Sequence, residues 1–371
     1  MVLPTLVRAG MEVVTSRLAV ELTELGHSVE VICLEERGPL ADELSAAGVA
    51  VHLVPTPGVW TNVTPRQLTE RFIATKPDVV NSHSGVWLKA VRAARLARVP
   101  CVVHTVHGLM TVEPWYSPLL MWISAQFTSR VISVSDPLRS YLLDTVRLPD
   151  AKIRVVPNGI DTRIFYPSPD VAREQVIGHP VPGLVVGCVA RFDPIKNHEL
   201  LLDAFAVARR SHPTAVLVLV GDGELKASLE RRARQPDLQG SVVFTGDRHD
   251  TSDLYRCFDV FALTSKAEGT SMSILEAMAT GCCIVATDVG GSGALLDGGA
   301  AGLLVPSGDV TALAGRLTAV LGDDGQRRRF GEIARARAVH AYSQRNMALR
   351  YLEVYRDLLG DAPVSSSVAF A

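Results

Sequence analysis

The chain of 371 residues has little cysteine, little lysine and no long apolar run, and each shortage excludes something. Its six cysteines (Cys33, Cys101, Cys188, Cys257, Cys282 and Cys283) show no CxxC or CxxxC spacing, so neither a zinc knuckle nor a redox dithiol is indicated. Several lie in apolar strand-like runs, where cysteine behaves as a small buried hydrophobe in a reducing compartment. No apolar stretch approaches the roughly 20 residues needed to cross a bilayer, and the N-terminus lacks the basic-then-apolar order of a signal peptide. A cytoplasmic protein is expected. Lysine and arginine together number 37, of which only six are lysine. With abundant alanine and valine, that bias is the composition of a high-GC bacterial genome. A formal net charge of −2 gives no reason to expect nucleic acid as a partner. The sequence contains no Asp-x-Asp and no histidine pair at metal-ligand spacing, so no divalent metal is expected. Neither half opens with Gly-x-Gly-x-x-Gly, which disfavours an NAD-dependent oxidoreductase; the shorter Gly221-Asp222-Gly223 and Gly291-Ser292-Gly293 are weak signals alone.

What is present is the balance of a compact enzyme, 47% hydrophobic and 20% charged, long enough for two domains of roughly 150 to 200 residues. Apolar runs alternate with helical patterns through both halves. Residues 28–34, 50–54, 78–80, 101–105 and 131–134 are expected as strands in the first half, with helices over 16–25 and 86–97. In the second half the strands fall at 184–190, 216–220, 242–245, 260–263, 283–286 and 302–305. Repeated βα order implies parallel sheets covered on both faces, hence an α/β protein of two Rossmann-like domains facing across a cleft. Val155 to Asp161 and the proline-rich stretch after it are read as the linker, giving domains over 1–165 and 166–342. A last helical pattern over 343–360 presents Met347, Leu349, Leu352, Val354, Tyr355 and Leu358 for packing, and the tail 361–371 is expected to be disordered.

The most informative stretch is Glu268-Gly269-Thr270-Ser271-Met272-Ser273-Ile274-Leu275-Glu276, directly after the buried strand at 260–263. It sets one carboxylate in a loop and a second on the following helix. The carboxyl ends of strands in open α/β sheets hold ligands, and a helix N-terminus there offers free N–H groups to a phosphate. Glu268 is positioned to bond ligand hydroxyls and Glu276 to reach a second polyol such as a ribose. Ser273 to Glu276 also fits a capping box, in which Glu276 only returns a bond to the cap. Arg191 and Lys196 lie five residues apart after the first strand of the second half, where two cations can clamp a diphosphate and stabilise charge as it departs; two solvated surface charges are the alternative. In the first half, His104-Thr105-Val106-His107-Gly108 ends a strand, with His104 the better fit to a structural role, and Arg8-Ala9-Gly10-Met11-Glu12 leads into the first helix.

Together these residues resemble the family 4 retaining glycosyltransferases of GT-B fold, along nearly the whole chain. The family's Glu-x7-Glu is matched by Glu268 and Glu276, its arginine and lysine by Arg191 and Lys196, and its Val-Pro-Asn-Gly-Ile-Asp by Val156 to Asp161. Its Gly-Asp-Gly stands at Gly221 to Gly223 and its Thr-Asp-Val-Gly-Gly at Thr287 to Gly291. The resemblance implies that Arg191 and Lys196 bind the donor's diphosphate, Glu268 contacts the donor sugar and Glu276 holds the nucleotide ribose. It implies that Gly269, Ser271 and Met272 offer backbone to phosphate, that His107 lies near the transferred sugar, and that Gly10 and Gly221 line the donor site. It also implies a final helix returning to the N-terminal domain. Three departures stand out: only Met1 to Leu6 precede the glycine loop, the usual Gly-Gly there is Ala9-Gly10, and Ala294 replaces a common acidic residue.

The reaction implied moves one sugar from a nucleoside diphosphate sugar, uridine or guanosine, to an acceptor hydroxyl with retention, using no further cofactor. A nucleotide-sugar epimerase or hydrolase, and a noncatalytic sugar-nucleotide binding protein, are the alternatives. Lys89, Arg92, Arg95 and Arg98 recur every three residues and fit either a solvated helix face or a strip meeting anionic lipid headgroups. With Trp115, Tyr116, Leu119, Leu120, Met121, Trp122 and Ile123 close by, a lipid-linked acceptor and peripheral contact with the inner membrane face are expected, a soluble natural product being the alternative acceptor.

Overall fold

The computed structural model describes all residues except 57–58, 109–113, 169–170 and 361–371, together with the side chains of residues 59 and 60. The tail expected to be disordered therefore lies outside the described residues. The chain divides into two compact units, Met1–Gly159 joined by the chain from Gln344, and Ile160–Ser343.

The first unit holds seven parallel strands: β1 Val2–Thr5, β2 Glu30–Glu36, β3 Ala50–Leu53, β4 Val79–His83, β5 Cys101–Val106, β6 Arg130–Ser133 and β7 Ile153–Val155. Their order is β3-β2-β1-β4-β5-β6-β7. The expected strands lie within a few residues of these. Met1 to Leu6, short as it is, supplies β1 near the centre of the sheet, pairing Val2 with Ile32 and Ser82. β7, for which no strand was expected, takes Val155 from the segment read as linker, because pairing from Val131↔Ile153 extends the sheet at its edge. The second unit holds β8 Val185–Val189, β9 Val216–Val220, β10 Val242–Gly246, β11 Val260–Leu263, β12 Cys283–Thr287 and β13 Leu303–Val305, in the order β10-β9-β8-β11-β12-β13. Strands buried on both faces need continuous apolar runs, and Val216-Leu217-Val218-Leu219-Val220 is buried along its whole length. Both units are Rossmann-like, and the strand order reverses between β1 and β4 and between β8 and β11.

The segment after the divide is stitched to the second unit. Arg256 stacks over Tyr166 at 4.1 Å and donates to the carbonyls of Tyr166 and Ile164, and Arg335 donates to Phe165 and Thr162. Arg173 meets Asp259 through two 2.9 Å bonds. The last helix, Gln344–Leu359, packs on the first helix, Gly10–Glu24, within the first unit. It buries Met347, Tyr351, Leu352, Val354 and Tyr355, while Leu349 faces solvent. Asn81 on β4 donates to the Tyr355 hydroxyl at 2.9 Å, and the Tyr351 hydroxyl lies 3.3 Å from Thr105 on β5, so the helix is fixed by polar keys as well as by burial. All six cysteines are free and buried, and burial pushes their thiols up, Cys33 and Cys101 to about 11.

Candidate active site

In the second unit the loops after β8 and β11 flank the reversal of strand order, where an open α/β sheet leaves a crevice. The loop after β8 is shaped by Asp193, whose Oδ1 accepts from the amides of Ile195 and Lys196 at 3.0 and 3.1 Å. Phe192 is fully buried, edge-on to His198 and Phe244, and anchors that loop in the core. Gly223, at φ +155°, passes so close that a Cβ would meet the Phe192 carbonyl at 2.6 Å, and Gly221 passes the Ala190 carbonyl more closely still. The Gly-Asp-Gly turn after β9 thus lets two loops pack backbone to backbone.

The loop after β11 is tied to its neighbour. Lys266 N–H donates to the Ile195 carbonyl at 2.7 Å, and the Thr264 hydroxyl bonds the carbonyls of Lys196 and Asn197. Across this seam the Lys196 Nζ lies 2.6 Å from Glu268 Oε1, which also accepts from the Ser265 hydroxyl at 2.6 Å. The Glu268 side chain is only 7% exposed and that of Lys196 22%. A buried carboxylate needs such partners, and the pair leaves a charged donor and acceptor at one point of the crevice. Gly290 and Gly291 close the loop from behind: a Cβ on Gly290 would overlap the Glu268 carbonyl, and Gly291 N–H donates to the Gly269 carbonyl at 3.0 Å. Arg191 stands apart, 82% exposed, with Asp193 Oδ2 at 3.1 Å. The structure brings Lys196 and Glu268 together but leaves Arg191 outside that contact.

Ser271 caps the helix Met272–Thr280, its hydroxyl accepting from Ile274 N–H at 3.4 Å. With Ser271 as the cap, Ile274 is the third helical residue and Glu276 the fifth. The capping-box role for Glu276 is therefore excluded by position. Met272 and Ser273 open the helix, where amides have no intrahelical acceptor. Burial lifts the Glu276 carboxyl to about 7, against the partial pull of Tyr255 in the other direction. Tyr255 is itself fully buried among Phe165, Phe258 and Phe261, with no partner at full hydrogen-bond geometry for its hydroxyl. Burial, with Glu276 next, pushes the Tyr255 phenol well up.

In the first unit β4 and β5 end in histidines. His104 is seated structurally, stacked 4.0 Å from Trp87 with its Nδ1 2.9 Å from the Ser82 hydroxyl. His107 Nε2 lies 2.9 Å from His83 Nδ1, which also has the Thr15 hydroxyl at 3.4 Å. Desolvation holds His83 and His104 well below the usual imidazole range and brings His107 to about 4. Neutral rings sharing one proton between Nδ1 and Nε2 must differ at their outer nitrogens. One of His83 Nε2 and His107 Nδ1 is then a donor and the other an acceptor, and both are buried without a partner. Gly10 opens its helix in an ordinary conformation with nothing within 4 Å of a Cβ. Glu12 in the same first turn is buried, with Thr5 Oγ1 at 3.5 Å, so that helix start already holds an anion.

Four residues of these sites had no sequence signal strong enough to single them out. Asp193, Ser265, Tyr255 and His83 act by touching Lys196's amide, Glu268, Glu276 and His107. Such second partners are set by three-dimensional packing rather than by spacing. Among the described residues, no helix is long and apolar enough to cross a membrane.

The model for glycosyl transferases group 1 matches residues 172–337, and that for glycosyltransferase family 4 matches residues 8–164. The UDP-Gal:alpha-D-GlcNAc-diphosphoundecaprenol alpha-1,3-galactosyltransferase of Escherichia coli is 30% identical over 314 residues, 80% of each chain. The D-inositol 3-phosphate glycosyltransferase of Corynebacterium urealyticum is 30% identical over 94% of this chain and 91% of its own. Among solved structures, Anabaena HepE in complex with UDP and glucose superposes with a TM-score of 0.81 over 96% of this chain and 99% of its own, at 22% identity. That likeness covers the fold, while the sequence matches cover both units and reach 30% identity over most of two relatives. The chain therefore belongs to the glycosyl transferases group 1, the family 4 glycosyltransferases of GT-B fold.

Proposed function

We propose that the protein transfers a sugar from a UDP-sugar to an acceptor hydroxyl with retention of configuration, in the synthesis of a bacterial envelope or extracellular glycan. The observation that carries this reading is the Lys196–Glu268 contact at the point where the second sheet's strand order reverses. Lys196 and Arg191 are assigned to the diphosphate, Glu268 to the sugar hydroxyls and Glu276 to the ribose, with the backbone amides of Ser271 and Met272 toward phosphate. Gly221 and Gly269 shape the walls by close backbone approach. Within the first unit, neutral His107 is assigned to the transferred sugar and Gly10 to open backbone beside the ligand. The uridine preference is supported by the UDP named for HepE and the UDP-Gal named for the E. coli relative. A lipid-linked acceptor is supported by that relative's diphosphoundecaprenol substrate.

In the transfer the bond from the anomeric carbon to the diphosphate oxygen breaks, and the acceptor oxygen bonds that carbon from the same face. The acceptor's proton passes to the departing phosphate oxygen. Fixed cations assist only if they grip the leaving group more tightly as its charge grows, which suits Lys196 on a buried seam. The positive charge comes from side chains in this proposal, without a divalent metal. The test is incubation with UDP-glucose, UDP-galactose, UDP-N-acetylglucosamine and GDP-mannose, with and without a polyprenyl diphosphate sugar. An acceptor-dependent product with retained anomer, lost in Lys196→Ala, is expected. Donor consumption without acceptor would instead favour an epimerase or hydrolase, and an inverted product would refute the same-face mechanism.

A further inference from the structure

We infer that the helix Ser117–Gln126 of the first unit is the surface by which this protein rests on a bilayer bearing anionic headgroups. The inference deepens, and rests on, the lipid-linked reading above. The helix carries no charged residue and turns only Ser124 and Ala125 fully inward. Leu119, Leu120 and Trp122 face outward at 56%, 42% and 43% exposure, and Trp115 just before the helix is 89% exposed. A water-facing surface rarely presents so many large apolar groups on so few residues without a partner. Trp115 and Tyr116, edge to face at 5.8 Å, are the amphipathic aromatics that sit well at headgroup depth.

Charge at the rim supplies the choice of occupant. Lys152 donates to the Ala125 carbonyl at the helix end, Arg95 lies 5.8 Å over the Phe127 ring, and Arg130 opens the strand that follows. None of these three cations has a carboxylate partner among the described residues. Lys89 and Arg92 instead bond the carbonyls of Thr56 and Val63, so the basic strip on the Trp87–Leu96 helix is partly occupied. A second copy docked on the same face would bring two sets of such cations together with no carboxylate on the helix to meet them. Anionic lipid provides the missing charge and an apolar phase for the leucines and tryptophans.

The test is sedimentation of the full chain with vesicles of phosphatidylcholine, alone or mixed with phosphatidylglycerol, without donor or acceptor. Binding to the mixed vesicles, weakened by salt and accompanied by a blue shift of tryptophan emission, is expected. Leu119→Glu and Trp122→Glu, each made separately, should lower the partition coefficient about tenfold or more, and Arg95→Ala about fivefold. Ile73→Glu, at another exposed apolar position of the same unit, should leave it unchanged. Absence of binding to the mixed vesicles would overturn the inference, as would binding untouched by both glutamates. A dimer in sedimentation velocity that Leu119→Glu dissolves would overturn it in favour of a second copy. UDP affinity measured on the same samples separates the two readings: intact UDP binding without vesicle binding refutes the bilayer surface alone, and the converse refutes the donor assignment alone.

Discussion

The pH dependence of donor binding should report the ionisation of Glu276. A carboxylate that holds a ribose must accept two hydroxyl hydrogen bonds, which the ionised form does best. Burial has lifted this carboxyl to about 7, so the free protein carries it largely protonated at pH 6 and largely ionised at pH 8. For a group titrating at about 7, the ionised fraction is roughly a tenth at pH 6 and nine tenths at pH 8, so the dissociation constant should fall about tenfold across that window. The ligand is a UDP-sugar, whose diphosphate diester has no ionisation there. Isothermal titration in two buffers of different ionisation enthalpy should show nearly one proton released on binding at pH 6 and almost none at pH 8. Glu276→Gln should bind with one weak affinity throughout. Tyr255→Phe removes the hydroxyl that partly lowers this carboxyl, so the midpoint should move to higher pH. The folded protein itself favours the protonated form of Glu276, so this group's contribution to stability is lost as pH rises from 4.5 toward 7, opposite in sign to the buried histidines, and the stability of the wild type relative to Glu276→Gln should fall across that window. An affinity flat from pH 6 to 8 would refute the ribose role, and a stability difference between wild type and Glu276→Gln that does not change from pH 4.5 to 7 would refute the buried titration.

Other expectations follow from the same contacts. Lys196→Ala should lower kcat/KM by about 100- to 1,000-fold and also depress the thermal midpoint, because it strands the Glu268 carboxylate; Lys196→Ala with Glu268→Gln should recover the midpoint without the activity. His107, brought to about 4 by burial, stays neutral in the folded state while its unfolded counterpart protonates below about 6.5. Its contribution to stability is full above that value and is lost as pH falls toward 4, so thermal midpoints scanned over that range should decline less steeply in His107→Asn. Gly290→Ala, at φ +56° against the Glu268 carbonyl, should cost about 2 kcal/mol or more in urea unfolding, whereas Gly10→Ala should cost almost nothing. If Gly10→Ala nonetheless loses activity, the loss marks a ligand lying against that helix start.

The strands of both sheets were legible because residues buried on both faces leave unbroken apolar runs, as at 216–220 and 260–263. β1 was obscured because four residues are too few to show a period, and its place is fixed instead by pairing with β2 and β4. β7 is three residues long and runs straight into the segment read as a connection, so no period marked it. The carboxylate and cation positions were visible because glycine turns and loop-to-helix junctions mark the ends of strands. Their relations were not: sequence placed Arg191 and Lys196 as one clamp, but Phe192 between them is buried and turns Arg191 out to solvent while Lys196 points to Glu268. On the last helix Leu349, expected to pack, faces solvent, while Tyr351, outside the expected set, is buried and reaches a hydroxyl on β5 that no periodicity reveals.

The second unit enters and leaves the chain at one spot. Ile160 N–H donates to the Tyr342 carbonyl at 2.7 Å, and Ile160 bridges Ser343 in parallel, so its two ends are held side by side. A contiguous insert with adjacent ends is a cassette: two cuts, after Gly159 and before Gln344, free Arg191, Lys196, Glu268 and Glu276 as one piece while the last helix stays with its sheet. Recombination among relatives can then exchange the unit that carries these four residues in a single event, leaving the first unit and its last helix intact.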